Sequence, residues 1–369
     1  MSQAKWYEGQ LWSGMTTGVW LGLLARNRFA ISPRRLPLFL GCSSVSVFNS
    51  VLALIQRLSY GREISQIELP DDPLFIIGHW RSGTTMLHEM LGLDPRNRCP
   101  TTYECLSPHH YLLTEKFSRQ WLPFLMPRTR PMDNMKMSFG KPQEDEAALC
   151  CLGARSTFLT VAFPNRPLQD PRYAELDSLT PAELANWQAI MRRFLQTLLY
   201  RQPGQLVLKS PQHTFRIPTL LQMFPKAKFV HIVRDPYVVF PSTVHFWTKM
   251  YERYALTSPP YRDVEEMVLQ TLVQMYDCYD KARPLIPDDR FCELKYEDLV
   301  ADPVGKVADI YQQLKLGDIE PARSAMELYA QKSRKYKTNE YEPNAERDAV
   351  VTDRWKFFLE RYGYASRST

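Results

Sequence analysis

Phe75-Ile76-Ile77-Gly78-His79-Trp80-Arg81-Ser82-Gly83-Thr84-Thr85 carries a strand, a loop and a helix start in eleven residues. Leu74 to Ile77 is a short apolar run of the kind that forms a buried strand. Gly78 and Gly83 bracket a loop, and Met86, Leu87, Met90 and Leu91 then recur at helical spacing. Strand, glycine-bracketed loop and helix start together aim backbone N–H groups at one point, a geometry suited to phosphate. The Walker pattern requires Gly-x4-Gly-Lys-[Ser/Thr]. Here the glycine spacing fits, but Thr84 stands at the lysine position and the positive charge has moved into the loop, to Arg81. Such a loop fits a nucleotide whose 5′ end differs from that of ATP. A lone Gly-x4-Gly also describes ordinary strand-to-helix turns, so the reading depends on partners elsewhere in the chain.

Those partners follow in order. Asp94-Pro95-Arg96-Asn97 closes the first strand–helix unit with turn residues, and Cys99 to Pro131 reads as irregular, carrying Glu104, His109 and His110. Glu144, Asp145 and Glu146 open the apolar run Ala147 to Leu152, where carboxylates at a helix start complement the dipole. Thr180-Pro181-Ala182-Glu183 is a capping box with proline at the first helical position. It starts an amphipathic helix that stops at Pro203-Gly204. A second strand, Gln205 to Lys209, leads into Ser210-Pro211-Gln212-His213. A third, Lys228 to Val233, ends in Arg234-Asp235-Pro236 ahead of a helix carrying Ser242. Helices are expected over Arg262 to Ala282 and Pro303 to Leu314, with a fourth strand over Arg290 to Lys295. Strands alternating with helices predict an α/β fold, a parallel sheet flanked by helices, with ligands at the strands' carboxyl ends. The four junctions supply Arg81, Ser82, Thr84 and Thr85; Lys209, Ser210 and His213; Arg234 and Ser242; and Tyr296.

Size and composition set the bounds. A chain of 369 residues can bury a large core, and 44% hydrophobic with 23% charged residues is ordinary for a globular protein. The net charge of +6 is spread among acidic residues, which argues against a nucleic-acid partner. Seven cysteines without a C-x-x-C pair suggest reduced, mostly buried thiols in a cytoplasmic setting and no zinc site. Met1 to Gly18 lacks the pattern of a secretory signal. Residues 1–70 read as a helical N-terminal extension to a domain over 71–369. Within it, Leu36 to Ile55 holds twenty residues without a charge, but Pro37, Gly41, Asn49 and the serines make it a poor membrane span. A buried or interfacial helix is expected there. Trp6, Trp12 and Trp20 keep membrane association and peripheral membrane contact open.

At this point the sequence resembles a known family. The stretch Phe75 to Thr85 is similar to the 5′-phosphosulfate loop of sulfotransferases that use 3′-phosphoadenosine 5′-phosphosulfate (PAPS). Phe224 to Pro236, followed by Ser242, resembles their 3′-phosphate element, in which an arginine and a serine eight positions later hold the phosphate that distinguishes PAPS from ATP. Leu294-Lys295-Tyr296-Glu297-Asp298-Leu299 resembles a later strand whose tyrosine lies near the adenine. Leu208 to His213 and Gln143 to Glu146 are similar to the large bacterial branch. The resemblance runs from about Leu74 to Pro303 and implies a P-loop-like fold. It implies a cofactor site of Arg81, Ser82, Gly83, Thr84, Thr85, Arg234, Ser242 and Tyr296, with no metal. The branch's usual C-terminal element for the 3′-phosphate is missing; Lys332, Arg334, Lys335 and Lys337 are the local substitutes.

The chemistry is consistent with that implication. Sulfuryl transfer, like phosphoryl transfer, passes through a loose transition state, so a site mainly positions groups and neutralises charge. Arg81 offers a planar fork for sulfonate and 5′-phosphate oxygens, and Lys209 a point charge for the leaving oxygen. Arg234 has a competing use as an ion-pair partner of Asp235. Two residues can serve as general base, His213 and Glu104. His213 stands four residues past Lys209, where the cytosolic branch has its histidine two past; Glu104 falls where the tyrosylprotein branch has a glutamate, two positions off. The expected activity is transfer from PAPS to a hydroxyl, or an amine, of a small-molecule, lipid-like or glycan acceptor. An ATP-dependent phosphotransferase and a non-catalytic nucleotide-binding protein are the alternatives.

Overall fold

The computed structural model describes residues 11–121, 137–165, 174–333, 341–342 and 344–367. Contacts divide the chain into two units, one of Met1–Pro70, Arg98–Gly204 and Lys249–Arg262, the other of Asp71–Asn97, Gln205–Thr248 and Asp263–Thr369. The second unit carries the sheet: β1 (Leu74–Ile77), β2 (Asn97–Arg98, at the passage between units), β3 (Gln205–Lys209), β4 (Lys228–Val233) and β5 (Phe291–Lys295). The order is β2-β3-β1-β4-β5, and β1 pairs in parallel with both β3 and β4, as β4 does with β5. Leu74 to Ile77 are all buried, as a central parallel strand covered on both faces requires. After β1 the chain goes first to one neighbour and then to the other, so the loop after Ile77 leaves at the topological switch point.

The sheet was expected as four strands; β2, two residues long, escaped because so short an edge has no periodicity to read. Helices Val264–Ala282, capped by Asp263, and Pro303–Gln313 follow the expected spans within two residues. Across β4 and β5, His231 opposes Glu293, and Nδ1 lies 2.6 Å from the carboxylate.

The first unit is helical. Thr180 and Glu183 form the capping box that starts Pro181–Arg201. The segment after Cys99, expected to be irregular, contains helices Thr102–Leu106 and Tyr111–Trp121. A second capping box, Thr101 with Glu104, starts the former, a signal hidden by the surrounding prolines. Trp12 and Trp20 are buried core residues here rather than membrane-facing ones: Trp12 donates to the Tyr254 carbonyl at 2.7 Å and Trp20 to the Ser43 hydroxyl at 2.9 Å. Trp6 lies outside the described residues.

Leu36 to Ser65 is one continuous helix. Pro37 sits in its first turn, where a missing N–H costs nothing, and the helix runs unbroken through Gly41. By length and composition alone it is apolar enough to cross a membrane, which does not make it a span. Nor is it a buried helix, since Leu40, Phe48, Leu54 and Leu58 are exposed. None of the seven cysteines is in a disulfide and six are buried, as their composition suggested; burial pushes Cys42, Cys99 and Cys151 up to about 12.

Candidate active site

The loop after β1 is shaped by three residues in the left-handed region: Gly78 (φ 139°), Arg81 (φ 68°) and Gly83 (φ 102°). A Cβ on Gly78 would meet the Ile232 carbonyl at 2.4 Å, so the loop is pressed against β4. The Gly78 N–H donates to the Thr214 hydroxyl at 2.9 Å, which ties the loop to the turn after β3. Arg81, a non-glycine residue at positive φ, stores strain of about 1–3 kcal/mol of the kind that collects at binding sites. Gly83 is the N-cap of helix Thr84–Leu91. A Cβ there would lie 2.2 Å from the Tyr296 ring. The first-turn N–H groups of this helix lack helical acceptors and face the loop.

Three junctions meet at this loop. The Arg81 Nε donates to the Ser242 hydroxyl at 2.9 Å, and an Arg234 Nη donates to the Arg81 carbonyl at 3.2 Å. The Arg234 guanidinium also lies 4.1 Å from the centre of the Tyr296 ring. Burial pulls the Arg234 pKa below its ordinary value, and the neighbouring charge of Arg81 adds to this, whereas Tyr296 opposes it. Ser82 and Thr84 are buried, and the Ser82 hydroxyl donates to the His79 carbonyl at 2.7 Å. Lys209 at the end of β3 is buried, with Nζ 3.5 Å from the Thr85 hydroxyl.

The competing use of Arg234 is overturned. Asp235 pairs instead with Arg367 at 2.9 Å, and its carboxylate accepts from the Tyr237 N–H. Arg234 forms no ion pair among the described residues. Two buried or half-buried cations, Arg81 and Arg234, thus share one loop with a glycine-only close approach and a helix start. That arrangement suits a ligand with more than one phosphate or sulfonate group.

The two candidate bases sit in different surroundings. His213 lies in the short 3-10 turn Pro211–Phe215, fully buried, with its ring edge-on to Phe75 at 5.3 Å between centres. Glu104, in the first unit, is buried; one oxygen accepts from Arg98 and the other from the Thr101 N–H at 2.8 Å. Glu104 holds Arg98 above the ordinary arginine value although burial pulls the other way. Arg201 lies 3.8 Å from the same carboxylate and pairs with Glu115 at 2.7 Å. Asp145 and Glu146 stand in the first turn of helix Asp145–Cys151, as expected, and both are buried. His110 is pushed down to about 4 by burial, with His109 adding to the effect. Lys332 lies in the last turn of helix Glu320–Ser333, whereas Arg334, Lys335 and Lys337 lie outside the described residues.

Sequence reasoning missed the residues that brace the site from the C-terminal segment. Arg367 holds Asp235, Tyr364 donates to Glu297 at 3.0 Å, and Glu297 accepts from the Asp235 N–H at 3.0 Å. They form a chain from the end of β5 to the end of β4, and lone residues so far apart in sequence carry no motif. Thr214 was equally silent, although its neighbour His213 was noticed.

Comparison with known proteins agrees with this geometry. Residues 73–320 match the family described as "Sulfotransferase family". The chain is 43% identical over 363 residues, 98% of its length and 93% of the relative's, to the omega-hydroxy-beta-dihydromenaquinone-9 sulfotransferase Stf3 of Mycobacterium bovis. The protein of the same name from Mycobacterium tuberculosis matches to the same extent. Among solved structures, sulfotransferase STF9 from Mycobacterium avium superposes with a TM-score of 0.66 at 19% identity, covering 96% of this chain and 98% of that one. Sulfotransferase STF1 from Mycobacterium tuberculosis gives 0.61 at 20% identity, covering 92% and 90%. The two structures speak for the shared fold; the family match and the relative of 43% identity establish that this chain belongs to the sulfotransferase family, enzymes that transfer a sulfuryl group.

Proposed function

We propose that this sulfotransferase uses PAPS as donor and moves its sulfuryl group to the hydroxyl of a lipid-like acceptor of the hydroxylated menaquinone class. The observation that carries the donor assignment is the meeting of Arg81, Ser242, Arg234 and Tyr296 around the Gly83 close approach. The acceptor class rests on the relative, whose name gives an omega-hydroxylated dihydromenaquinone as its substrate. The ATP-phosphotransferase alternative gives way to the family assignment, as Thr84 at the Walker lysine position suggested.

In this reading the N–H groups at the start of helix Thr84–Leu91, with Ser82, Thr84 and Thr85, bind the 5′-phosphosulfate end. Arg234 and Ser242 bind the 3′-phosphate, and Tyr296 packs beside the nucleoside. When bound, PAPS supplies the sulfuryl group and departs as adenosine 3′,5′-bisphosphate. Arg81 and Lys209 neutralise the charge that develops on the sulfonate and the leaving oxygen, where low surrounding dielectric strengthens their effect. The acceptor hydroxyl must lose a proton. Glu104 already accepts from Arg98 and Thr101 through both oxygens, and protonating it would break a buried pair. His213 lies four residues past Lys209, in the turn that follows β3, and we assign it the proton.

Three outcomes test this reading. With sulfur-labelled PAPS, label is expected on an omega-hydroxylated dihydromenaquinone and not on a soluble phenol or a glycan; labelling of either of the latter in place of the lipid would overturn the acceptor class. Arg81→Ala and Lys209→Ala should each lower turnover by about 10²–10³-fold, the size of loss typical of a removed transition-state donor. Their affinity for adenosine 3′,5′-bisphosphate, which lacks the sulfonate, should change far less; near-normal turnover in either variant would make that residue structural. His213→Asn should lose about 10²–10⁴-fold in turnover. Glu104→Gln should keep turnover within a few-fold of wild type but lose about 3–5 kcal/mol of stability by orphaning a buried arginine. The reverse pattern would assign the base to Glu104.

A further inference from the structure

The helix Leu36–Ser65 is amphipathic the wrong way round for a soluble protein. Its polar side chains face its own unit and its apolar ones face out. On the inner side Ser43 accepts from Trp20, Asn49 donates to the carbonyls of Ser13 (2.6 Å) and Met15 (2.9 Å), and Gln56 accepts from the Leu112 N–H at 2.9 Å. On the outer side Leu40, Val47, Phe48, Val51, Leu54 and Leu58 are 54–77% exposed. These positions fall on one stripe of a 3.6-residue helix, about 27 Å long from Leu40 to Leu58 at ~1.5 Å per residue. An ordinary surface helix shows the opposite pattern.

Charge says what covers this stripe. Residues 9–62 contain six arginines and no Asp, Glu or Lys. Arg34 lies just before the helix, Arg57 and Arg62 lie within it, and all three are exposed. A second copy of the chain would bring the same positive charge face to face, which opposes self-association. Apolar surface rimmed by arginine is instead complementary to anionic lipid headgroups over acyl chains. The hydrogen bonds from Ser43 to Gln56 keep one side of the helix on protein, so the helix cannot be surrounded by lipid as a span would be.

We infer that the outward face of Leu36–Ser65 docks the protein on an anionic membrane surface, with the helix lying in the plane of the interface. The inference does not rest on the acceptor reading: failure of vesicle binding alongside sulfation of the lipid alcohol would remove this inference alone, and vesicle binding without such sulfation would remove only the other.

The full chain should be tested by flotation with vesicles of phosphatidylcholine alone and of phosphatidylcholine mixed with phosphatidylglycerol. Binding to the mixed vesicles, weakened by salt, is expected. The triple variant Leu40→Glu/Phe48→Glu/Leu54→Glu should bind about a hundredfold or more weaker. Its thermal unfolding midpoint should stay close to wild type, because these side chains are exposed. Arg34→Gln/Arg62→Gln should lose most of the preference for the anionic vesicles, roughly fivefold per arginine. Absence of binding to either vesicle, or unchanged binding by the triple variant, would overturn the proposal. So would a wild-type dimer that the triple variant converts to monomer without any lipid binding. Resistance of the membrane-bound protein to alkaline extraction would show a spanning helix and overturn it as well.

Discussion

The site depends on one close approach, that of the Gly83 backbone to the ring of Tyr296, where any side chain on Gly83 would fall within 2.2 Å of a ring carbon. The contact joins the loop after β1 to the end of β5, two strands away across the sheet. Arg234, from the end of β4 between them, completes the arrangement by lying against the same ring and bonding the Arg81 carbonyl. Three strand ends are therefore locked through one aromatic side chain. Arg81 is held at a strained φ because its carbonyl and side chain are both engaged, by Arg234 and by Ser242. Two cations brought this close repel each other, and burial makes the repulsion harder to screen. The fold tolerates that cost where an anion is to be bound.

The second unit follows from strong local signals. β1, β3 and β4 have the ends expected of them, and β5 begins one residue later than expected, because buried parallel strands read as apolar runs bounded by turn residues. The Arg81, Arg234 and Ser242 spacing was legible because each lies immediately beyond a strand or one helical stretch from it. What could not be read was tertiary. Nothing local links Arg367 to Asp235 or Tyr364 to Glu297, although these contacts brace the turn that carries Arg234. The competing pairing of Arg234 with Asp235 was reasonable from adjacency alone, and it fails only because a residue 132 positions away takes the carboxylate.

The first unit was harder to read because its polar residues point inward. Sequence alone left Leu36–Ser65 either buried or interfacial, because nothing local shows that Ser43, Asn49 and Gln56 serve as hydrogen-bond partners in the interior. Glu104, read from the sequence as a candidate base, and Glu115, which carried no signal, are both buried against Arg98 and Arg201. Buried ion pairs of this type are weak sources of net stability but strongly penalise loss of one partner. They specify how the short helices after Cys99 pack, which the proline-rich sequence there does not announce.

If the three junctions form one cradle for a nucleotide carrying a 3′-phosphate, calorimetry of adenosine 3′,5′-bisphosphate against AMP, on the wild-type protein and on Arg234→Gln, will show it. Charge-assisted hydrogen bonds are worth about 1.5–3 kcal/mol each, so the wild type should prefer the bisphosphate by roughly ten- to a hundredfold. Arg234→Gln should bind the two nucleotides with nearly equal affinity. Equal affinities in the wild type, or a preference that survives in the variant, would contradict the account.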